Sequence, residues 1–197
     1  MYVVVGLGNP GEEYENTRHN TGRLAVLHFL KKNDLPTPVF NKKYQSLVSE
    51  GKIGKEKIFS LLPETFMNKS GAAVSPAIGN KKKAENLIVV HDDLDLPLGR
   101  VKVSFNRGPA GHRGLLSIIK SLKTEAFIRI KIGISPTVAG GKMKKPIGDI
   151  KVDKHILGKF SPKEELVLKK IFKTVSDAIY TIATDGRERA MSAFNAK

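Results

Sequence analysis

Two short apolar runs limit what this chain can become. Leu87-Ile88-Val89-Val90 is apolar without alternation, and Val3-Val4-Val5 is a run of β-branched residues. A strand with no polar face must be covered on both sides, which calls for a sheet between layers of helix. Each run ends in polar residues: the first in His91-Asp92-Asp93-Leu94-Asp95, the second in the stretch Gly6 to Gly22, GLGNPGEEYENTRHNTG. The rim of such a sheet is where an α/β protein keeps its chemistry. At 197 residues the chain is long enough for one well-buried core, so a single α/β domain over 1–197 is expected.

Gly6-x-Gly8-x-x-Gly11 meets the letters of a dinucleotide-binding fingerprint, but its context opposes one. That motif needs a helix opening within the glycines; here Pro10 deletes an amide and Glu12-Glu13 would meet the pyrophosphate. An amphipathic pattern begins only near Thr21, with Leu24, Leu27, Phe29 and Leu30, and no acid stands ready for a ribose. A Rossmann-type oxidoreductase is a distant reading. The stretch offers His19 instead, between Arg18 and Asn20 and just before a helix of about 20–32. Histidine can take up a proton near neutral pH, though a lone one is more often a structural donor. Its weight rests on partners elsewhere.

The candidate partner lies after the second apolar run. Three carboxylates there, with His91, could bind a divalent cation, but alternate residues of an extended segment point to opposite faces and split the set. One carboxylate that fixes the tautomer of a histidine is the simpler reading. Without cysteine, neither a disulfide nor a thiolate nucleophile or metal site is possible. No leader-like segment or run of eighteen apolar residues appears, so a soluble, cytoplasmic protein is expected.

The net charge is +15, from 34 Lys and Arg against 19 Asp and Glu, and +10 of it falls between Arg100 and Lys145. A basic stripe of that density favours a polyanion such as nucleic acid over a merely solvated lysine-rich surface. Within it, an alternating strand from Arg100 to Phe105 puts Arg100, Lys102 and Ser104 on one face. A second, from Ile128 to Ile134, presents Arg129 and Lys131. The loop from Asn106 to Gly114 leads into a helix through Leu115, Ile118, Ile119 and Leu122, and its cations and amides suggest an anion site.

The other elements follow from pattern. Tyr44 to Ile53 and Lys57 to Leu62 form a hairpin across Gly54-Lys55-Glu56. After Pro63, Asn68 precedes a small-residue helix, either as its cap or as a binding residue if its loop faces that of residues 9–19. Lys81-Lys82-Lys83 reads as a solvated turn, and Pro136 to Gly148 as a mobile surface loop. Ser161-Pro162-x-Glu164 opens a core helix of about twenty residues, and a short helix follows from Arg187.

Taken together, GLGNPGEEYENTRHNTG, TFMNKSG, HDDLDLPLGRVKV, RGPAGHRGL, IRIKIGI and ILGKFSP, in that order, resemble bacterial-type peptidyl-tRNA hydrolase over essentially the whole chain. The resemblance implies a single twisted mixed sheet wrapped by helices. It also implies a cytoplasmic, monomeric esterase that needs no cofactor or metal and acts on the acceptor stem and 3′ end of peptidyl-tRNA. His19 matches the catalytic histidine, Asp92 its orienting carboxylate, and Asn9 and Asn68 the asparagines that hold substrate and water. Tyr14, Phe66, Asn68, Lys102, Arg113 and Lys131 are the implied substrate- and tRNA-binding residues. Arg113 departs from the family, which usually has asparagine there, and Lys131 stands where arginine is common. A non-catalytic RNA-binding protein on the same scaffold is the alternative. The cations near His19 are expected to keep it neutral.

Overall fold

In the computed structural model, residues 1–138 and 142–195 are described. Both apolar runs become central strands: β1 (Tyr2–Gly6) and β5 (Leu87–Pro97) pair in parallel, Val3 opposite Leu87. β4 (Glu56–Pro63) lies parallel on the other side of β1, and β7 (Ile128–Ser135) parallel on the other side of β5. Antiparallel strands complete the seven-stranded sheet: β3 (Ser46–Ile53) and β2 (Val39–Asn41) beyond β4, and β6 (Val101–Phe105) beyond β7.

Alternation sorts the apolar side chains into two layers. Val4, Ile88, Val90, Ile130 and Ile132 pack with α1 (Thr21–Lys32), α5 (Pro162–Asp185) and α6 (Arg187–Asn195). Val3, Val5, Leu87 and Val89 pack with α2 (Ser70–Ile78) and α3 (Arg113–Leu122). The absence of a polar face in each run is thereby accounted for. The capping box of Ser161 and Glu164 opens α5 as its sequence indicates.

Several elements differ from the sequence expectation. β5 continues through His91-Asp92-Asp93, pairing with β7 to Asp93 and, past an irregularity, again at Pro97, so the carboxylates lie within the strand rather than after it. The hairpin turn has two residues, with Glu56 already paired to Ile53 and Gly54 taking a φ of 57°. Tyr44 precedes β3, which starts at Ser46, and β2 was not anticipated because three residues, two exposed and one half-buried, carry no pattern.

The segment expected as a loop from Pro136 to Gly148 includes 139–141, outside the described residues. Its flanks are paired backbone: Val138 donates to Lys142 at 2.9 Å, and Lys144 to Pro136 at 2.8 Å. An unanticipated helix, α4 (Asp149–Ile156), follows; it buries no residue and has no side-chain cap. No helix among the described residues is long and apolar enough to cross a membrane.

Candidate active site

The carboxyl ends of β1, β4 and β5 open into a cleft of about 730 Å³, whose lining includes Asn9, Tyr14, His19, Phe66, Asn68 and Asp92. His19 enters it from a tight turn, Arg18–Asn20, directly before α1. Arg18 fixes that turn to the start of α5: its amide donates to Gly158 O at 3.0 Å and its guanidinium reaches both Glu164 oxygens at 3.0 Å. On the other side, Gly22 lets α1 rest on β5, since a Cβ there would stand 2.2 Å from Val90 O. Turn and helix together deliver His19 to Asp92.

His19 Nδ1 lies 3.0 Å from both Asp92 oxygens, and the pair is buried, with side chains 8% and 3% exposed. Burial alone would push the Asp92 carboxyl up; His19 and His112 outweigh it and hold the group well below its ordinary value. Ionised, Asp92 only accepts, so Nδ1 carries the proton and Nε2 the lone pair. Among the described residues no hydrogen bond reaches Nε2.

The direction of the His19 pKa shift differs from the one expected of nearby cations. Burial lowers its pKa, Asp92 raises it by charge and hydrogen bond, and the net direction is upward. Arg113 opposes as a smaller influence, offset by Asp153. The cations counted in the sequence therefore do not decide it, because Asp92 is in direct contact and they are not.

The remaining carboxylates of the motif are taken by lysines. Lys131 Nζ lies 2.9 Å from Asp93 Oδ2, and Lys145 pairs with Asp95. His19, Asp92 and His112 do bring ligand atoms within 4.8 Å of one another. However, His112 Nδ1 accepts the backbone N–H of Gly114 at 3.2 Å and of Leu115 at 3.3 Å. Its Nε2 therefore carries the proton and donates to Asp92 Oδ1 at 3.0 Å. A nitrogen so protonated has no lone pair for a cation, and the set suits a proton network.

The asparagines frame the opposite wall. Asn20 holds the Asn9 backbone by two hydrogen bonds, N–H to Oδ1 at 2.8 Å and Nδ2 to O at 2.9 Å. Asn9 Oδ1 in turn accepts from Met67 N at 2.8 Å. That fixes the Asn9 amide so that its Nδ2 remains as a donor. Asn68 sits in the turn Met67–Lys69 and makes no side-chain cap for α2; it is exposed and lines the cleft. Tyr14 and Phe66 meet edge to face at 6.4 Å on the same rim.

The basic stripe is less available than the sequence suggests. Arg129 is fully buried over the Phe127 ring at 4.4 Å, and burial pushes its pKa down to about 10, against the opposing charge of Glu125. Ser104, opposite Arg129, is buried as well. Lys131 is engaged by Asp93, whereas its cross-strand neighbour Lys102 is exposed. Both lysines lie outside the cleft lining, and Arg113 reaches across it to Asp153 on α4 at 3.6 Å. The expected anion site at the start of α3 is occupied, because His112 takes its first amides. Sequence reasoning missed His112 and Asn20 as parts of the site; only the position of His112 just before a helix start hinted at its capping.

A mixed sheet with a buried histidine–carboxylate pair in a cleft at the carboxyl ends of its parallel strands places the chain among α/β proteins with an enzyme-like site. Comparison narrows the class. The family model for peptidyl-tRNA hydrolase matches residues 3–197, and the chain belongs to that family. The peptidyl-tRNA hydrolase of Carboxydothermus hydrogenoformans is 40% identical over 196 residues, 99% of this chain and 98% of its own. That of a Thermoanaerobacter species is 42% identical over 196 residues, 99% of this chain and 100% of its own. The crystal structure of the Acinetobacter baumannii peptidyl-tRNA hydrolase superposes with a TM-score of 0.88 at 29% identity, covering 100% of this chain and 95% of that one.

Proposed function

We propose that the cleft hydrolyses the ester between a peptide, or an N-blocked aminoacyl group, and the 3′-terminal ribose of tRNA, with His19 as general base. One observation carries this reading: a buried carboxylate holds Nδ1 of His19 and leaves Nε2 to the cleft. Nε2 takes a proton from water as the water oxygen attacks the ester carbonyl. Asp92 steadies the imidazolium that forms. The carbonyl oxygen becomes an oxyanion, for which Asn9 Nδ2 and the Asn68 amide serve as donors in this reading; one such donor typically lowers the barrier by about 3 kcal/mol. As the tetrahedral species collapses, the ester C–O bond breaks and His19 returns its proton to the ribose oxygen. The products are a free peptide acid and a tRNA with its hydroxyl restored.

The reading needs no metal or cofactor, and its substrate is seated by Tyr14, Phe66, Asn68 and Arg113. Lys102 is an exposed cation for tRNA phosphate; Lys131 stands beside it with its charge shared by Asp93. The same reading has residues 1–197 act as one domain, a monomer in the cytoplasm, on the acceptor stem and 3′ end. A non-catalytic RNA binder would have no use for the His19–Asp92 pair.

The test is hydrolysis of an N-acetylated aminoacyl-tRNA in isotopically labelled water with EDTA present. Label in the released acid and none in the tRNA is expected, as attack by water at the acyl carbon requires. Label in the ribose, or no cleavage, contradicts the reading.

A further inference from the structure

The proton network around Asp92 contains a side chain that the chemistry above leaves unused. His112 stands at the start of α3 with its side chain only 8% exposed, and its two ring nitrogens serve different partners. Nδ1 accepts the first free amides of α3, from Gly114 and Leu115. Nε2–H donates to Asp92 Oδ1, the oxygen that also faces His19 Nδ1, both at 3.0 Å. The two rings are 5.0 Å apart, and His91 packs on His112 from beneath at 4.9 Å.

We propose that His112 is a positioning residue for the general base: its Nε2–H holds Asp92 in the rotamer that serves His19, while its Nδ1 anchors that hold to the α3 backbone. This rests on the reading of His19 as base. A carboxylate with two imidazole donors cannot turn away from either without stranding a buried donor. The ring is itself steered by two backbone N–H groups, so Asp92 is referenced to a helix and not to a mobile side chain.

The arrangement also acts on the charge of His19. The N–H end of the His112 dipole points at Asp92 from the same side as His19, and so opposes a second positive group there. The other groups around His19 are Asp92 and His91 on β5, Arg113 beside His112 on α3, and Asp153 on α4. Burial lowers the His91 pKa far enough to keep it neutral, with its Nδ1–H donated to Asp92 O at 2.7 Å. Loss of the His112 donor is therefore expected to raise the His19 midpoint.

Two substitutions separate the roles of the nitrogens. His112→Asn keeps an acceptor at the Nδ1 position, and asparagine caps helices well, but it cannot reach Asp92. His112→Gln puts an amide N–H where Nε2 was and gives up the cap. Titration of His19 by NMR in the full chain reads the effect without any appeal to catalysis. In His112→Asn the midpoint should rise by about 0.5 pH unit, with kcat/KM at pH 6 falling about threefold beyond any change in the high-pH plateau. In His112→Gln the midpoint should return toward wild type despite weaker folding. A midpoint at the wild-type value in His112→Asn, or one raised equally in both variants, overturns the proposal. If the wild-type rate does not follow the His19 titration while these shifts are seen, the general-base reading fails and the positioning of Asp92 by His112 stands.

Discussion

His19 and Asp92 stand 73 positions apart in the chain and 3.0 Å apart in the cleft. The contact depends on how closely α1 lies on β5, which Gly22 sets.

Gly22→Ala places a Cβ 2.2 Å from Val90 O, a backbone atom that cannot step aside. Overpacking of that kind costs about 1–3 kcal/mol. Urea unfolding should show that loss, and His19 should draw back from Asp92 with a fall in turnover. A variant with wild-type stability and rate would mean that α1 does not set the contact.

The pH dependence follows from the upward pKa of His19. A general base works without its proton, so kcat/KM should fall as pH drops through a midpoint above 6.5. Asp92, held well below its ordinary range, adds no inflection near neutrality. An acid limb below 6.5 would show that Asp92 does not govern His19.

Asp92→Asn removes the charge that raises His19. The acid limb should move below 6.5 while the plateau falls on the order of a hundredfold or more, as the tautomer is no longer fixed. Stability should change with pH in a related way. The depressed Asp92 carboxyl contributes stability above its ordinary 3.8 and loses it as pH falls toward its folded value. The raised His19 contributes below 6.5 and loses it as pH rises through its folded value. Wild type and variant should thus differ most between those limits. A constant difference across that range would contradict the linkage.

Lys102 and Lys131 face each other across β6 and β7 but should behave differently. Lys102→Ala should weaken tRNA binding and lower its salt slope by about one, with little effect on a minimal ester analogue. Lys131→Ala strips Asp93, only 6% exposed, of its partner and should cost about 3 kcal/mol of stability. Equal salt slopes and equal stabilities in the two variants would refute the distinction.

The central sheet was legible because Val3–Val5 and Leu87–Val90 lack any polar face, a pattern that local sequence fixes. His19 and Asp92 were legible as residue types at the rim, and the ordered motifs joined them. What escaped depends on distant partners. Arg129 and Lys131 share one alternating face, yet one lies buried over Phe127 and the other on Asp93. Neither partner can be read from alternation. His112 looked like part of a cationic loop because a cap and a carboxylate contact are both tertiary facts. α4 escaped because it buries no residue and no side chain caps its start.

The central claim is that His19 activates water. Single-turnover hydrolysis of an N-acetylated aminoacyl-tRNA, with EDTA present, by the wild-type protein and by His19→Ala measures it most directly. Fast cleavage by the wild type is expected, with a loss of about 10²–10⁴-fold in the variant while tRNA affinity and fold are retained. Near-normal cleavage by His19→Ala, or tight tRNA binding by the wild type without cleavage, would contradict it.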